Sequence, residues 1–307
     1  MEKYYHGIIP PIVSPVDINE DIDEEGFRGL IEYCIEGGLH GFLVAGTNGE
    51  TMQLTQKNRN KAIEVMLDQV KGRVPVIAGC MDTSTKRVIE NIKALEDMGG
   101  TCAAVTPIFY DRHTSQDETV RHFEEILKRT NVDLMIYNIP PFTGIKLTPD
   151  TVIRIAELDE KRIVGYKDSA AAFTDFLKVV ERFRDTSFSV LSGATPQAIA
   201  GLLMGCDGFV PALGPAFPEM FVSAYEAGIS KDVDLARKYD SLVRESGKIL
   251  GMTKNATAAA KYAISLRGHI DKRVMMPQDF VLPEEEEKIK AKVAEIDEKY
   301  KALKAEK

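Results

Sequence analysis

The chain has 307 residues, 44% of them hydrophobic and 28% charged, with a formal net charge of -8 at pH 7. That acidic balance argues against a duplex nucleic-acid binder, and the longest apolar runs fall far short of the roughly 20 residues a membrane span needs. Four scattered cysteines (Cys34, Cys80, Cys102, Cys206), with no CxxC pair, read as reduced core thiols of a cytoplasmic protein.

Met1-Glu2-Lys3-Tyr4-Tyr5 enters a strand-like segment at once and is read as leaving no room for a signal peptide. The first β-rich run covers 8–16. Helical spacing follows over 24–37, with Phe27, Leu30, Ile31, Cys34 and Ile35 on one face, and stops at Gly37-Gly38. A second run at 41–47 precedes a helix that opens at Thr55 and aligns Ile63, Met66, Leu67 and Val70. Runs at 74–80 and 102–109 come next, then a capping box of Ser115 and Glu118. The run at 133–140 leads to Thr148-Pro149, a cap followed by proline at the first helical position. Runs at 163–169, 188–194 and 208–213 complete eight.

Most of these runs are continuous and rich in Val and Ile, as strands covered on both faces should be. Their starts recur at about 20 to 33 residues, the spacing of repeated βα units. Eight such units in unbroken alternation predict an α/β fold, a closed (β/α)8 TIM barrel, over a doubly wound sheet. The barrel is assigned to residues 1–229. Residues 230–307 form a C-terminal extension of three helices, at 231–250, 254–266 and 283–304. The last is dense in Glu and Lys and reads as a solvated surface helix.

In a barrel, chemistry sits at the C-terminal ends of strands. Lys167 stands out there, following Ile163-Val164-Gly165-Tyr166, because lysine is seldom buried without a partner. Burial disfavours an ammonium group in general, and a neutral amine can attack a carbonyl to form a Schiff base. The plainer alternative is a lysine that reaches solvent or pairs with Asp168. The turn Gly46-Thr47-Asn48-Gly49 offers backbone N–H groups to an anion, although it lacks the Gly-Lys-Ser/Thr ending of a nucleotide loop. Tyr137 is either a proton-transfer group or strand packing. The five histidines are scattered without metal-ligand spacing, no GxSxG elbow is present, and Cys80 reads as core.

Gly46-Thr47-Asn48-Gly49-Glu50, Tyr137-Asn138-Ile139-Pro140 with Thr143-Gly144, Gly165-Tyr166-Lys167-Asp168-Ser169, and Ser192-Gly193 followed by Gly208-Phe209-Val210 occur in order. Together they resemble the dihydrodipicolinate synthase/N-acetylneuraminate lyase family over nearly the whole chain. The resemblance implies a (β/α)8 barrel, assembled as a homotetramer (a dimer of dimers), with no metal or organic cofactor. It implies that Lys167 is the Schiff-base lysine for pyruvate or a 2-keto acid and Tyr137 the proton relay. Thr47 and Asn48 then lie beside the substrate carboxylate, with Thr47 linked to the tyrosine, and Gly193 and Val210 line the pyruvate pocket. A tyrosine contributed across a subunit interface falls on Tyr110, or the register shifts it to Phe109.

Phe142 stands where the synthases of this family carry an arginine, five residues after the tyrosine. Ala194-Thr195-Pro196 replaces the Asp-Glu pair of sialic acid lyases. The expected activity is therefore a pyruvate-dependent aldolase or lyase. Its substrate would be a short 2-keto acid of the 4-hydroxy-2-oxoglutarate or 2-keto-3-deoxy-sugar-acid type. The alternatives are a 4-hydroxy-tetrahydrodipicolinate synthase condensing pyruvate with aspartate semialdehyde, and a 2-keto-3-deoxy-acid dehydratase. A non-catalytic keto-acid binder is a third, against which the presence of both Lys167 and Tyr137 argues.

Overall fold

In a computed structural model that describes residues 3–306, all eight apolar runs become parallel strands. In chain order the first half is β1 (Gly7–Ile8), α1 (Glu24–Glu36), β2 (Phe42–Val44), α2 (Gln56–Val70), β3 (Val76–Gly79), α3 (Thr85–Asp97), β4 (Cys102–Val105) and α4 (Gln116–Leu127). The second half is β5 (Asp133–Asn138), α5 (Pro140–Thr143), α6 (Pro149–Ala156), β6 (Ile163–Asp168), α7 (Phe173–Phe183), β7 (Ser189–Ser192), α8 (Ala198–Met204), β8 (Gly208–Phe209) and α9 (Pro218–Ile229). Three further helices follow: α10 (Val233–Gly247), α11 (Ala256–Ser265) and α12 (Pro283–Ala305).

From β2 to β8 each strand pairs with its sequence neighbour, and β1 pairs with β8. The ring closes between β1 and β2 through a single parallel bridge, Pro11 to Leu43. Three backbone hydrogen bonds carry that seam: His40 N–H donates to the Ile8 carbonyl at 3.0 Å, Leu43 N–H to the Pro10 carbonyl at 3.0 Å, and Ile12 N–H to the Leu43 carbonyl at 3.1 Å. The seam is thin because Pro10 and Pro11 have no N–H to give. This is why the run at 8–16 shortens to Gly7–Ile8. The runs at 102–109 and 208–213 end early for the same reason, before Pro107 and Pro211.

Strand alternation divides the apolar residues into two cores. Leu43, Ile77, Cys102, Ala104, Met135, Tyr137 and Leu191 fill the barrel, while Val44, Ala78, Ala103, Val105, Ile136, Tyr166 and Val190 face the helices. The helix starts follow local chemistry. Thr55 caps α2 by accepting from Asn58 N–H, Ser115 and Glu118 form a reciprocal capping box on α4, and Thr148 caps α6 ahead of Pro149.

The extension is more than a surface addition. Lys261 of α11 and Glu50, at the end of the β2–α2 turn, form an ion pair with both side chains at 0% exposure. The other Glu50 oxygen accepts from Met275 N–H at 2.8 Å. The charge-dense α12 buries only Ile289, Val293 and Ile296. Among the described residues no helix is long and apolar enough to cross a membrane.

Candidate active site

The site grows from the register of three strands: Tyr137 of β5 lies opposite Lys167 of β6, which lies opposite Leu191 of β7. All three therefore point into the barrel. Lys167 is 5% exposed, and its Nζ lies 3.9 Å from the centroid of the Tyr137 ring. An ammonium over an aromatic face is a favourable cation–π contact. Among the described residues Lys167 makes no ion pair.

Asp168 is not its partner, because alternation turns it to the opposite face of the sheet. There its Oδ1 accepts from Asn138 Nδ2 at 2.7 Å, Tyr166 OH at 2.9 Å and Ala170 N–H at 3.3 Å. Burial raises the Asp168 carboxyl above its usual range, and the donated hydrogen bonds oppose that shift. Tyr166 is raised well above the usual phenol by burial and by the neighbouring Asp168. This buried network ties β5 to β6 directly behind Tyr137 and Lys167. Sequence reasoning missed it, although the parity of positions 166–168 would have placed Asp168 outside.

The Tyr137 hydroxyl meets Thr47 Oγ1 at 3.4 Å. Thr47 lies in the turn after β2, bracketed by Ala45 at φ 50° and Glu50 at φ 55°. Inside it, Gly49 N–H donates to the Gly46 carbonyl and Glu50 N–H to the Thr47 carbonyl. Neither Thr47 N–H nor Asn48 N–H has an acceptor among the described residues, so two adjacent donors remain for an anion. Asn48 spends its side-chain amide elsewhere, donating to the Pro11 and Ala212 carbonyls at 3.1 Å each.

Gly193, just beyond β7, is a glycine by necessity of space. A Cβ there would lie 2.1 Å from Ser169 Oγ and 3.1 Å from Lys167 Cε, so a side chain would crowd the lysine stem. Its N–H donates to the Asp168 carbonyl at 2.7 Å, and Val210 N–H donates to the Ser192 carbonyl at 2.8 Å.

Lys167, Tyr137, Thr47, Asn48, Gly193 and Val210 all line one cavity of about 650 Å³. A second cavity of about 590 Å³ adjoins it, sharing Thr47, Ile139, Phe142, Ala256 and Thr257. Phe142, 68% exposed, stands between the two. Tyr110 is not brought here: it is 96% exposed at φ 73° on the β4–α4 loop, whereas its neighbour Phe109 lines the second cavity. The sequence reading also missed the roof, where the extension supplies Arg244, Lys248 and Thr257 to the cavity wall. Among the described residues no three His, Cys, Asp or Glu side chains gather to hold a metal ion.

Comparison with known proteins adds three findings. The family model described as the dihydrodipicolinate synthetase family matches residues 4–298. Among curated proteins, a 4-hydroxy-tetrahydrodipicolinate synthase of Methanopyrus kandleri is 34% identical over 236 residues, covering 76% of this chain and 77% of that protein. One from a Hydrogenobaculum species is 31% identical over 284 residues, covering 92% and 96%. Among solved structures, dihydrodipicolinate synthase of Bacteroides thetaiotaomicron superposes with a TM-score of 0.89 at 31% identity, covering 96% of this chain and 100% of that one. YagE, an E. coli prophage protein of the dihydrodipicolinic acid synthase family in complex with pyruvate, gives a TM-score of 0.90 at 26% identity, covering 95% and 99%.

Proposed function

The chain belongs to the dihydrodipicolinate synthetase family of pyruvate-dependent aldolases and lyases, and we propose that within it this protein makes or cleaves a short 2-keto acid of the 4-hydroxy-2-oxoglutarate or 2-keto-3-deoxy-sugar-acid type. The observation that carries the reading is the buried Lys167 amine, 3.9 Å from the Tyr137 ring centroid and without an ion pair among the described residues. In the cleavage direction the Lys167 amine adds to the C2 ketone, whose oxygen takes a proton from the Tyr137–Thr47 hydroxyl pair and leaves as water, giving an iminium. The C4 hydroxyl proton then refills the Tyr137–Thr47 pair, which gave its own to the departing water, while the C3–C4 electrons move into the iminium. An aldehyde leaves and an enamine remains. C3 then takes a proton, and water hydrolyses the imine to release pyruvate and restore the amine. The free N–H groups of Thr47 and Asn48 hold the substrate carboxylate throughout.

Residues 1–229 carry this chemistry in the proposal, and residues 230–307 close the mouth above it. The protein works in the cytoplasm as a homotetramer, a reading supported by four buried free thiols and by the bare aromatic side chain of Tyr110. Pyruvate plus borohydride, digestion and mass spectrometry should give a reduced adduct on Lys167. A protein that binds pyruvate and gives no adduct there sinks the reading.

A second reading, synthesis of 4-hydroxy-tetrahydrodipicolinate from pyruvate and aspartate semialdehyde, is favoured by the names of the relatives. Phe142 weighs against it, since it offers no cation to that aldehyde's carboxylate from the β5 side. High efficiency with aspartate semialdehyde, above that with glyoxylate or glyceraldehyde, decides for the synthase.

A further inference from the structure

The charges around the two cavities do not follow the charge of the chain. The protein carries a formal -8, yet the charged residues lining the cavities are Lys167, Arg244, Lys248 and Lys254 against Asp279 alone. A cleft lined by one sign concentrates ligands of the other sign, and does so most strongly where low-dielectric walls focus the field. Pyruvate's carboxylate is accounted for by the Thr47–Asn48 turn at the floor. The cations at the roof are therefore surplus to a substrate with one charge.

Two of them share a wall. Arg244 and Lys248 lie four residues apart at the C-terminal end of α10, on the same helical face, and both line the cavity that holds Lys167. Gly247 lies between them, so the backbone leaves the wall open there. Arg244 gives only its Nε to Asp240, at 2.7 Å, and its two terminal nitrogens make no hydrogen bond among the described residues. Lys248 contacts Glu245, whose other oxygen is taken by Lys292 at 2.7 Å, a lysine that also reaches Glu295 at 3.0 Å, so Lys248 does not hold that carboxylate alone. Opposite, Phe142 and Ala194-Thr195-Pro196 offer no charge.

We propose that Arg244 and Lys248 form a second anion subsite, so that the part of the substrate furthest from the ketone ends in a carboxylate or a phosphate. The substrate is then held at both ends, with Lys167 between the two anchors. This rests on the Schiff-base reading above and adds to it the class of aldehyde that the enzyme releases or accepts.

Borohydride trapping on Lys167 tests both claims separately, using three 2-oxo acids: pyruvate, 2-oxohexanoate with a neutral tail, and 2-oxoadipate with an anionic tail of the same length. Half-maximal trapping by 2-oxoadipate should need at least about tenfold less acid than by 2-oxohexanoate, the size of one charge-assisted contact. Arg244→Gln/Lys248→Gln should erase that difference, and Arg244→Lys should keep part of it. Both positions are more than half exposed, so the folded protein should survive the changes. If pyruvate is trapped but the two longer acids trap equally, or neither traps, the subsite is wrong and the Schiff-base reading stands. If pyruvate itself leaves no adduct, the underlying reading has failed. Turnover of pyruvate with succinic semialdehyde against glyceraldehyde 3-phosphate then tells carboxylate from phosphate.

Discussion

Among the described residues two lysines are buried, and they lie in opposite circumstances. Lys261 is wholly enclosed and paired with Glu50, which is enclosed with it. Lys167 is almost as deeply buried, but it faces a tyrosine ring and a cavity, and among the described residues no carboxylate answers it. Burial draws the Lys261 ammonium down in pKa, and Glu50 pulls it back. The contrast separates two uses of the same side chain. A buried lysine with its counter-ion fastens parts of the fold together; one without a counter-ion, opening on a cavity, is free to react.

Replacing each by methionine should break the molecule in different ways. Lys167→Met should lower turnover at least about a thousandfold, because no other amine replaces the nucleophile. The urea midpoint should hardly move, since an apolar chain of similar length suits the barrel interior. Lys261→Met should do the reverse, costing about 3–5 kcal/mol by leaving Glu50 charged and alone in a dry site. Adding Glu50→Gln to that variant should recover most of the loss, because the amide oxygen still accepts from Met275 N–H. If Lys261→Met unfolds at the wild-type midpoint, the pair is not a fastening.

Gly193→Ala sharpens the comparison from the side of Lys167. The new methyl would press on Ser169 and on the lysine's Cε, moving the amine without removing it. Trapping with pyruvate should slow by about one to two powers of ten, the usual penalty for displaced reacting groups. An unchanged trapping rate would show that the stem has room to spare.

The smallest effect belongs to a solvated pair. Lys248 and Lys292 hold the Glu245 carboxyl down at about 2, against 4.5 ordinarily. A carboxyl lowered by folding stabilises the protein above its unfolded pKa and loses that contribution as pH falls toward the folded value. The difference in melting temperature between wild type and Glu245→Gln should therefore shrink as pH drops from about 5 to about 2. A gap that stays constant, or widens, removes this pair from the account.

Much of this was written locally. The Val- and Ile-rich runs marked every strand, because strands covered by helices on one side and packed inward on the other have nowhere to put polar residues. Their ends were less legible: apolar character continues through Pro10-Pro11, Pro107 and Pro211, where the missing N–H stops the ladder. Lys167 was conspicuous for its charge within such a run. Its independence from Asp168 follows from parity alone. The Lys261–Glu50 pair spans 211 positions, and Arg244 with Lys248 reaches the cavity only because α10 lies over the mouth. Such contacts depend on how distant elements pack, and no local pattern announces them.

The thin seam between β1 and β2 gives the cylinder a built-in line of opening. Five residues of β5 are paired with β6, whereas on the mouth side the seam is held by two backbone hydrogen bonds and the Asn48 amide. The residue that clasps the seam belongs to the same turn that offers its N–H groups to a carboxylate. Occupancy of that turn should therefore slow the local breathing of the wall as well as fill the pocket. Amide exchange at Ile12 and Leu43 should slow when pyruvate is added, while exchange at Ile136 stays as it was; equal slowing at all three would mean that the cylinder breathes as one piece.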